Sequence, residues 1–242
     1  MRERLRRRQS VSRVQLFCVP YAGGTAEFFN LIAKYMPEHI ELIATEYAGH
    51  GKRRKEDFYD TFEAMVRDVA GQINDSWDGE SEVALFGYSM GSIVTYEMWA
   101  MGLLEMKPGH IFLAAHEAPD IEWESKKVCT LGTQEFADFL VGLGGFDKFN
   151  KKMLENRHFM GMFFNPIRED YRLIGMYKMS SFKPFDMPVT MMHSSKDVSK
   201  EQINKWMKFF GTGGKILDIG NTHFFMKEEP EKVAQNIIDD IG

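Results

Sequence analysis

Cysteine is nearly absent from this chain: Cys18 and Cys129 are the two thiols in 242 residues. With no CxxC pair and no cysteine–histidine cluster, neither a disulfide framework nor a structural zinc site is expected, and the thiols fit a reducing cytoplasm. Long apolar runs are missing too. No stretch reaches the ~18 residues that a membrane-spanning helix needs. The basic start, MRERLRRRQSVSR, lacks the apolar segment and cleavage site of a secretory signal. Positive charge is not in excess: 30 Lys and Arg against 35 Asp and Glu leave a net charge of −5. Nothing global therefore draws the chain to nucleic acid or to an anionic membrane. Phosphate-binding glycine patterns are absent as well. GTGGK (211–215) lacks the spacing of a phosphate loop, and no G-x-G-x-x-G follows the first strand-like run.

What is present is an ordinary globular composition, 44% hydrophobic and 27% charged, arranged as apolar strand-like runs alternating with amphipathic segments. The strand-like runs are 14–20, 40–48, 83–89, 110–119, 188–197 and 214–220. Helical spacing marks 25–36, 61–77, 91–106, 201–210 and 229–241. Such alternation implies an α/β fold with a mostly parallel central sheet and helices on both faces. Residues 1–13 are expected to form a basic, disordered tail, and 14–242 a single domain. The stretch from about 120 to 187 interrupts the alternation with short helix-like pieces. It carries too much apolar surface to stay unfolded in water and reads as a helical lid insertion.

The third strand-like run ends in LFGYSMGSI (85–93). A G-x-S-x-G motif between a strand and a helix is a nucleophile elbow. The turn is so sharp that a Cβ at Gly87 or Gly91 would strike neighbouring backbone, while Ser89 stands at the carboxyl edge of the sheet. A serine needs a base, and the base needs a carboxylate to orient it. Of seven histidines, His223 in GNTHFFM lies in the loop between the last strand and the last helix, at the same edge as Ser89 and later in the chain. Asp197, closing the fifth strand in SSKD, precedes it, with Glu117 as the alternative acid. Asp218 sits within the last strand, and Asp186 lies at the wrong edge. His193, His110 and His116 belong to strand regions, His50 reads as a turn residue, and His39 and His158 have no supporting context. An oxyanion hole would take the N–H of Met90 and a second amide from PYAGGT (20–25), where Ala22 is favoured over Tyr21.

These residues give a serine hydrolase of the α/β-hydrolase fold without naming a substrate. The segments LFCVPYAGGTAEFF, AGHGKR, VALFGYSMGS, LGGF, FFNPIREDY, PVTMMHSSKD and GNTHFFM, in this order, resemble the type II thioesterases of nonribosomal peptide and polyketide synthesis. The likeness runs from about residue 14 to the last helix and includes the insertion. Its catalytic residues fall on Ser89, Asp197 and His223. Where that family usually has His before the serine and Gly after the elbow, this chain has Tyr88 and Ser92.

The resemblance implies hydrolysis of acyl or aminoacyl thioesters held on the phosphopantetheine arm of acyl or peptidyl carrier proteins, as editing in antibiotic biosynthesis. It implies no metal or redox cofactor, and a monomer is expected. Lys52, Arg53, Arg54 and Lys55 are candidates to meet an acidic carrier or the arm's phosphate, although a solvated loop fits them more simply. Met153, Met160, Met162, Met176 and Met179 fit either a pocket for varied acyl groups or an ordinary core. Three other readings stay open: a product-releasing thioesterase, a generalist carboxylesterase of the same fold, and a hydrolase-fold protein that binds an acyl ligand without cleaving it.

Overall fold

A computed structural model describes residues 12–121, 125–144 and 148–242. Most of the basic tail, residues 1–11, and two residues of the LGGF segment, Gly145 and Phe146, lie outside the described residues. Six strands form one sheet: β1 (Val14–Val19), β2 (Ile40–Ala44), β3 (Glu82–Tyr88), β4 (His110–Ala114), β5 (Val189–His193) and β6 (Gly214–Asp218). Their order is β2-β1-β3-β4-β5-β6, and every neighbouring pair is parallel.

The period-2 alternation of the strands divides the core into two layers. Phe17, Val19, Leu85, Ile111 and Met191 point to one face, where they meet Met65, Val66, Val69 and Ile73 of the helix Phe62–Ser76. Leu16, Cys18, Ala84, Phe86 and Phe112 point to the other, against Phe28, Phe29 and Ile32 and against Val233, Ala234 and Ile237 of the closing helix Pro230–Ile241. Because both faces are covered, β1, β4 and β5 are buried along their whole length. This explains why they read as continuous apolar runs.

Three helical stretches differ from the sequence expectation. Residues 25–36 form a 3-10 turn, Ala26–Phe29, leading into a single α turn, Asn30–Ala33; Pro37 just beyond disfavours continuation. The helix after the elbow ends at Ala100 rather than near 106. There Gly102, at φ +66°, takes the left-handed position, and Leu103 N–H closes onto the Met98 carbonyl. The segment near 201–210 begins on a Ser199 cap, runs as an α turn over Lys200–Asn204 and tightens to 3-10 over Lys205–Phe209.

Between β4 and β5 the chain forms Ser125–Val128, Thr133–Gly142, Lys151–Glu155, Arg157–Phe159, a π turn Met160–Phe164, and the long helix Asn165–Met176. Phe136, Ala137, Leu140, Phe164 and Ile167 give this insertion a small core of its own. In the sheet, β1 lies between β2 and β3. The strand order therefore reverses there, and the loops leaving β1 and β3 open a crevice at the carboxyl edge.

Candidate active site

The elbow is a strained turn held from both sides. Ser89 sits at φ 54°, ψ −120°, outside the regions that an L residue normally occupies. Its N–H donates to the Ala114 carbonyl on β4 at 2.7 Å. The fully buried Ser92 hydroxyl accepts from the Ala114 N–H at 3.0 Å and lies 2.9 Å from both the Gly87 and Ala114 carbonyls. Ser92 thus pins the first helical turn to β4, a contact that a glycine in its place would lack. The glycines are obligatory here. A Cβ on Gly87 would come within 2.3 Å of the Gly91 carbonyl oxygen, and one on Gly91 within 2.1 Å of the Val19 carbonyl oxygen. Both obstacles are backbone and cannot rotate away.

Three side chains far apart in sequence meet above this turn. The Ser89 hydroxyl donates to His223 Nε2 at 2.9 Å, and His223 Nδ1–H donates to Asp197 Oδ2 at 2.8 Å. A carboxylate only accepts, so it fixes the proton on Nδ1 and leaves Nε2 free to receive the serine proton. The His223 and Asp197 side chains are 11% and 14% exposed, so little water screens their attraction. Asp197 lies in the turn after β5, its N–H bonded to the Ser194 carbonyl at 3.0 Å.

The His223 loop is tied down at two points that the sequence did not disclose. Tyr88, buried beneath the ring, donates its hydroxyl to the His223 carbonyl at 2.7 Å. Burial raises the Tyr88 phenol well above its ordinary pKa, helped by the nearby Asp197 and Glu228 carboxylates, so the donor keeps its proton. On the preceding residues, Glu228 accepts the Asn221 N–H at 2.7 Å and the Thr222 hydroxyl at 2.5 Å. Those bonds, the Thr222 hydroxyl foremost, hold its carboxyl below the usual range.

Met90, whose amide is one of the candidate oxyanion donors, directly follows the serine. Met90 is the first residue of the helix Met90–Ala100, so its N–H has no partner one turn earlier in that helix. The loop bearing Tyr21 and Ala22 presses on the elbow, since the space a Gly91 side chain would need is filled by the Val19 and Pro20 carbonyls. The Tyr21 ring packs edge-on against Phe28 at 4.7 Å and Phe224 at 5.0 Å, joining this loop to the residue after His223.

The remaining candidates have other partners. His193 is buried with Nδ1 3.3 Å from the Val198 carbonyl, and His110 is buried with Nε2 3.0 Å from the Thr190 hydroxyl. Burial pushes His116 down to about 4, which keeps it neutral near pH 7. His39 precedes β2 at the opposite edge, and His158 is exposed on the insertion. Glu117 accepts from the Gln202 amide, Asp218 from the Ser195 N–H at 3.0 Å, and Asp186 pairs with Lys107 at 3.1 Å.

Reading His50 as a turn residue proves incomplete. It is buried, with Nε2 3.0 Å from Asp170 of the insertion. Its sequence neighbourhood, AGHG, looks like a turn, and nothing local points to a partner 120 residues away.

In the basic stretch Arg53 is committed to structure, reaching Glu56, Asp68 and the Glu46 carbonyl, while Lys52, Arg54 and Lys55 are exposed. The insertion methionines do not converge: Met162 and Met176 line separate clefts of about 370 and 320 Å³, and Met179 packs against the main core. Among the described residues no cluster of three or more His, Cys, Asp or Glu side chains could hold a metal ion. No helix among them is long and apolar enough to cross a membrane.

The family model described as a thioesterase domain matches residues 14–241. The gramicidin S biosynthesis protein GrsT of Aneurinibacillus migulanus is 25% identical over 231 residues, covering 93% of this chain and 88% of its own. Among solved structures, ClbQ of the colibactin NRPS/PKS pathway superposes with a TM-score of 0.84 at 26% identity, covering 95% of this chain and 97% of the other. BorB, a type II thioesterase of the borrelidin biosynthetic cluster, superposes at 0.79 with 22% identity, covering 95% and 93%, a likeness of fold.

Proposed function

The chain belongs to the thioesterase-domain family, and from that premise we propose that it hydrolyses acyl and aminoacyl thioesters carried on the phosphopantetheine arms of acyl or peptidyl carrier proteins. In this reading it is an editing enzyme of nonribosomal peptide or polyketide synthesis and works in the cytoplasm. The observation that carries the chemistry is the continuous relay from Ser89 through His223 to Asp197, with links of 2.9 and 2.8 Å. The similarity to GrsT and ClbQ along nearly the whole chain supports the choice of substrate class.

Two acyl transfers complete the reaction. His223 Nε2 takes the Ser89 proton as Oγ attacks the thioester carbonyl. The Asp197 carboxylate stabilises the imidazolium that forms. The amides of Met90 and Ala22, with Tyr21 as the alternative, receive the oxyanion. Collapse expels the pantetheine thiol, which takes the proton from His223. A water molecule, deprotonated in turn by His223, attacks the acyl-serine; collapse breaks the ester bond, frees the acid and returns the proton from His223 to Ser89 Oγ. Every proton moves among groups of this chain, the substrate and one water molecule, so the proposed route uses no metal and no redox cofactor. The helical insertion serves as the lid over this site.

The decisive experiment loads carrier proteins with acetyl, longer acyl and aminoacyl groups and compares the wild type with Ser89→Ala. Turnover is expected to fall by at least about 10⁴-fold in the variant. Near-normal cleavage by it would refute the assignment. Preference for simple oxygen esters over carrier-bound thioesters would point to a general esterase. Preference for one full-length product would point to a releasing enzyme. Binding without turnover would make the wild type an acyl-binding protein.

A further inference from the structure

The loop that supplies the second oxyanion amide is held from outside the sheet, by the insertion. Residues 20–25 leave β1 and cross the elbow. On the inner side the Pro20 carbonyl accepts from the buried Tyr47 hydroxyl at 2.8 Å, and Gly24 N–H turns back onto the Tyr21 carbonyl at 2.8 Å. On the outer side the Gly23 N–H donates to Asp170 Oδ2 at 2.6 Å, across 147 residues of sequence. Gly23 has φ +78°, and a Cβ there would stand 2.1 Å from Ile167 Cγ1. Ile167 and Asp170 are three residues apart on the long helix of the insertion, so they share a face. That face lies directly on the loop.

Asp170 is 2% exposed, and a carboxylate so deeply buried needs compensation. His50 provides it. Its Nε2 stands 3.0 Å from the same Oδ2, and the ring supplies the balancing charge when protonated. Its Nδ1 lies 3.0 Å from the Ala48 carbonyl, which sets the ring's orientation. Burial works against a charged ring there, but the Asp170 carboxylate outweighs it and the His50 pKa is raised. The catalytic relay uses neither residue. The arrangement bears on the reaction through the bond to Gly23 N–H, which orients the peptide immediately after Ala22.

We propose that Asp170, partnered by His50, is a positioning residue that fixes the loop after β1 in its oxyanion-receiving form, so that seating of the insertion helix completes the catalytic site. This rests on the serine-hydrolase reading of Ser89. It adds that the insertion shapes the chemistry as well as covering it.

The test follows covalent labelling of Ser89 by an alkyl fluorophosphonate in the full chain, comparing wild type, Asp170→Asn and Asp170→Ala. Turnover of a small free acyl thioester and the thermal midpoint are measured alongside. The maximal labelling rate and kcat should fall about tenfold or more in Asp170→Ala, and about three- to tenfold in the isosteric Asp170→Asn. The half-saturating reagent concentration and KM should stay within about threefold, because the loop acts on the transition state and not on ground-state binding. A general loosening of the fold would move both together. Labelling of Asp170→Asn within about twofold of wild type overturns the inference, and that variant decides alone if Asp170→Ala does not fold. Wild-type labelling without thioester turnover would sink the substrate proposal and leave this inference standing. Absence of wild-type labelling would sink both.

Discussion

The hydroxyl of Tyr88 donates a 2.7 Å hydrogen bond to the backbone carbonyl of His223, joining the residue before the nucleophile to the residue that acts as its base. The two lie 135 positions apart in sequence, one closing β3 and the other following β6. The contact ties the loop bearing the base directly to the strand bearing the nucleophile.

Tyr88→Phe removes that bond and keeps the ring packing against Phe28 and Phe225. Loss of one hydrogen bond of this kind is expected to cost about 0.5–1.5 kcal/mol. A fall in kcat of about 2- to 12-fold with little change in KM should accompany it, measured on a small thioester. A kcat equal to wild type would show that the bond does not position His223.

Asp197→Asn tests the tautomer argument. An amide can donate toward Nδ1 and so favour the ring proton on Nε2, where it cannot accept from Ser89. Turnover should fall by about 10⁴-fold while the protein stays folded. If activity survives within an order of magnitude, Glu117 deserves the same substitution, since it flanks the site and its pKa is raised by burial and by Asp197.

Gly91→Ala places a methyl 2.1 Å from the Val19 carbonyl oxygen, where only backbone could give way. Overpacking of this kind costs about 1–3 kcal/mol or more, or roughly 2–12 °C in Tm for a domain of this size. Calorimetry on the purified variant would measure the loss directly. An unchanged Tm would mean that the elbow tolerates movement.

The His50–Asp170 pair predicts a pH dependence. His50 is held above its ordinary pKa of 6.5, with Asp170, Glu46 and Tyr47 facing it. The stabilisation is therefore fully present below that ordinary value and is lost as pH rises through the raised one. The Tm gap between wild type and His50→Gln should be wider at about pH 6 than at about pH 9. A gap that widened toward high pH would contradict a protonated ring.

Reversing the exposed charges in Lys52→Glu, Arg54→Glu and Lys55→Glu together should raise KM for a carrier-bound thioester by about 3- to 10-fold. A small free thioester should be turned over as before. Arg53 is left out of the set because it is bound to Glu56 and Asp68, and its loss would loosen the loop itself. Equal effects on both substrates would show that the patch does not meet the carrier.

Local pattern made much of this protein legible. Short apolar runs mark all six strands, because a strand covered on both faces is buried throughout, and period-3.6 spacing marks the helices Phe62–Ser76 and Pro230–Ile241, because a buried face must recur at the repeat of its element. Gly87 and Gly91 marked the elbow because only a residue without Cβ fits there. Ser89, Asp197 and His223 meet because each follows a strand at one edge of a parallel sheet, an edge that chain order already points to. The helix ends at Ala100 and Ala33 were misjudged because apolar spacing continued past the point where Gly102 and Pro37 stop the backbone.

The tertiary structure decided what local order cannot carry. The bond from Tyr88 to His223, the commitment of Arg53 to Asp68 and the seating of Asp170 on Gly23 and His50 all join residues that no periodicity relates. Their partners are chosen by how the finished sheet brings its loops together and by the need to satisfy each polar group once water has left.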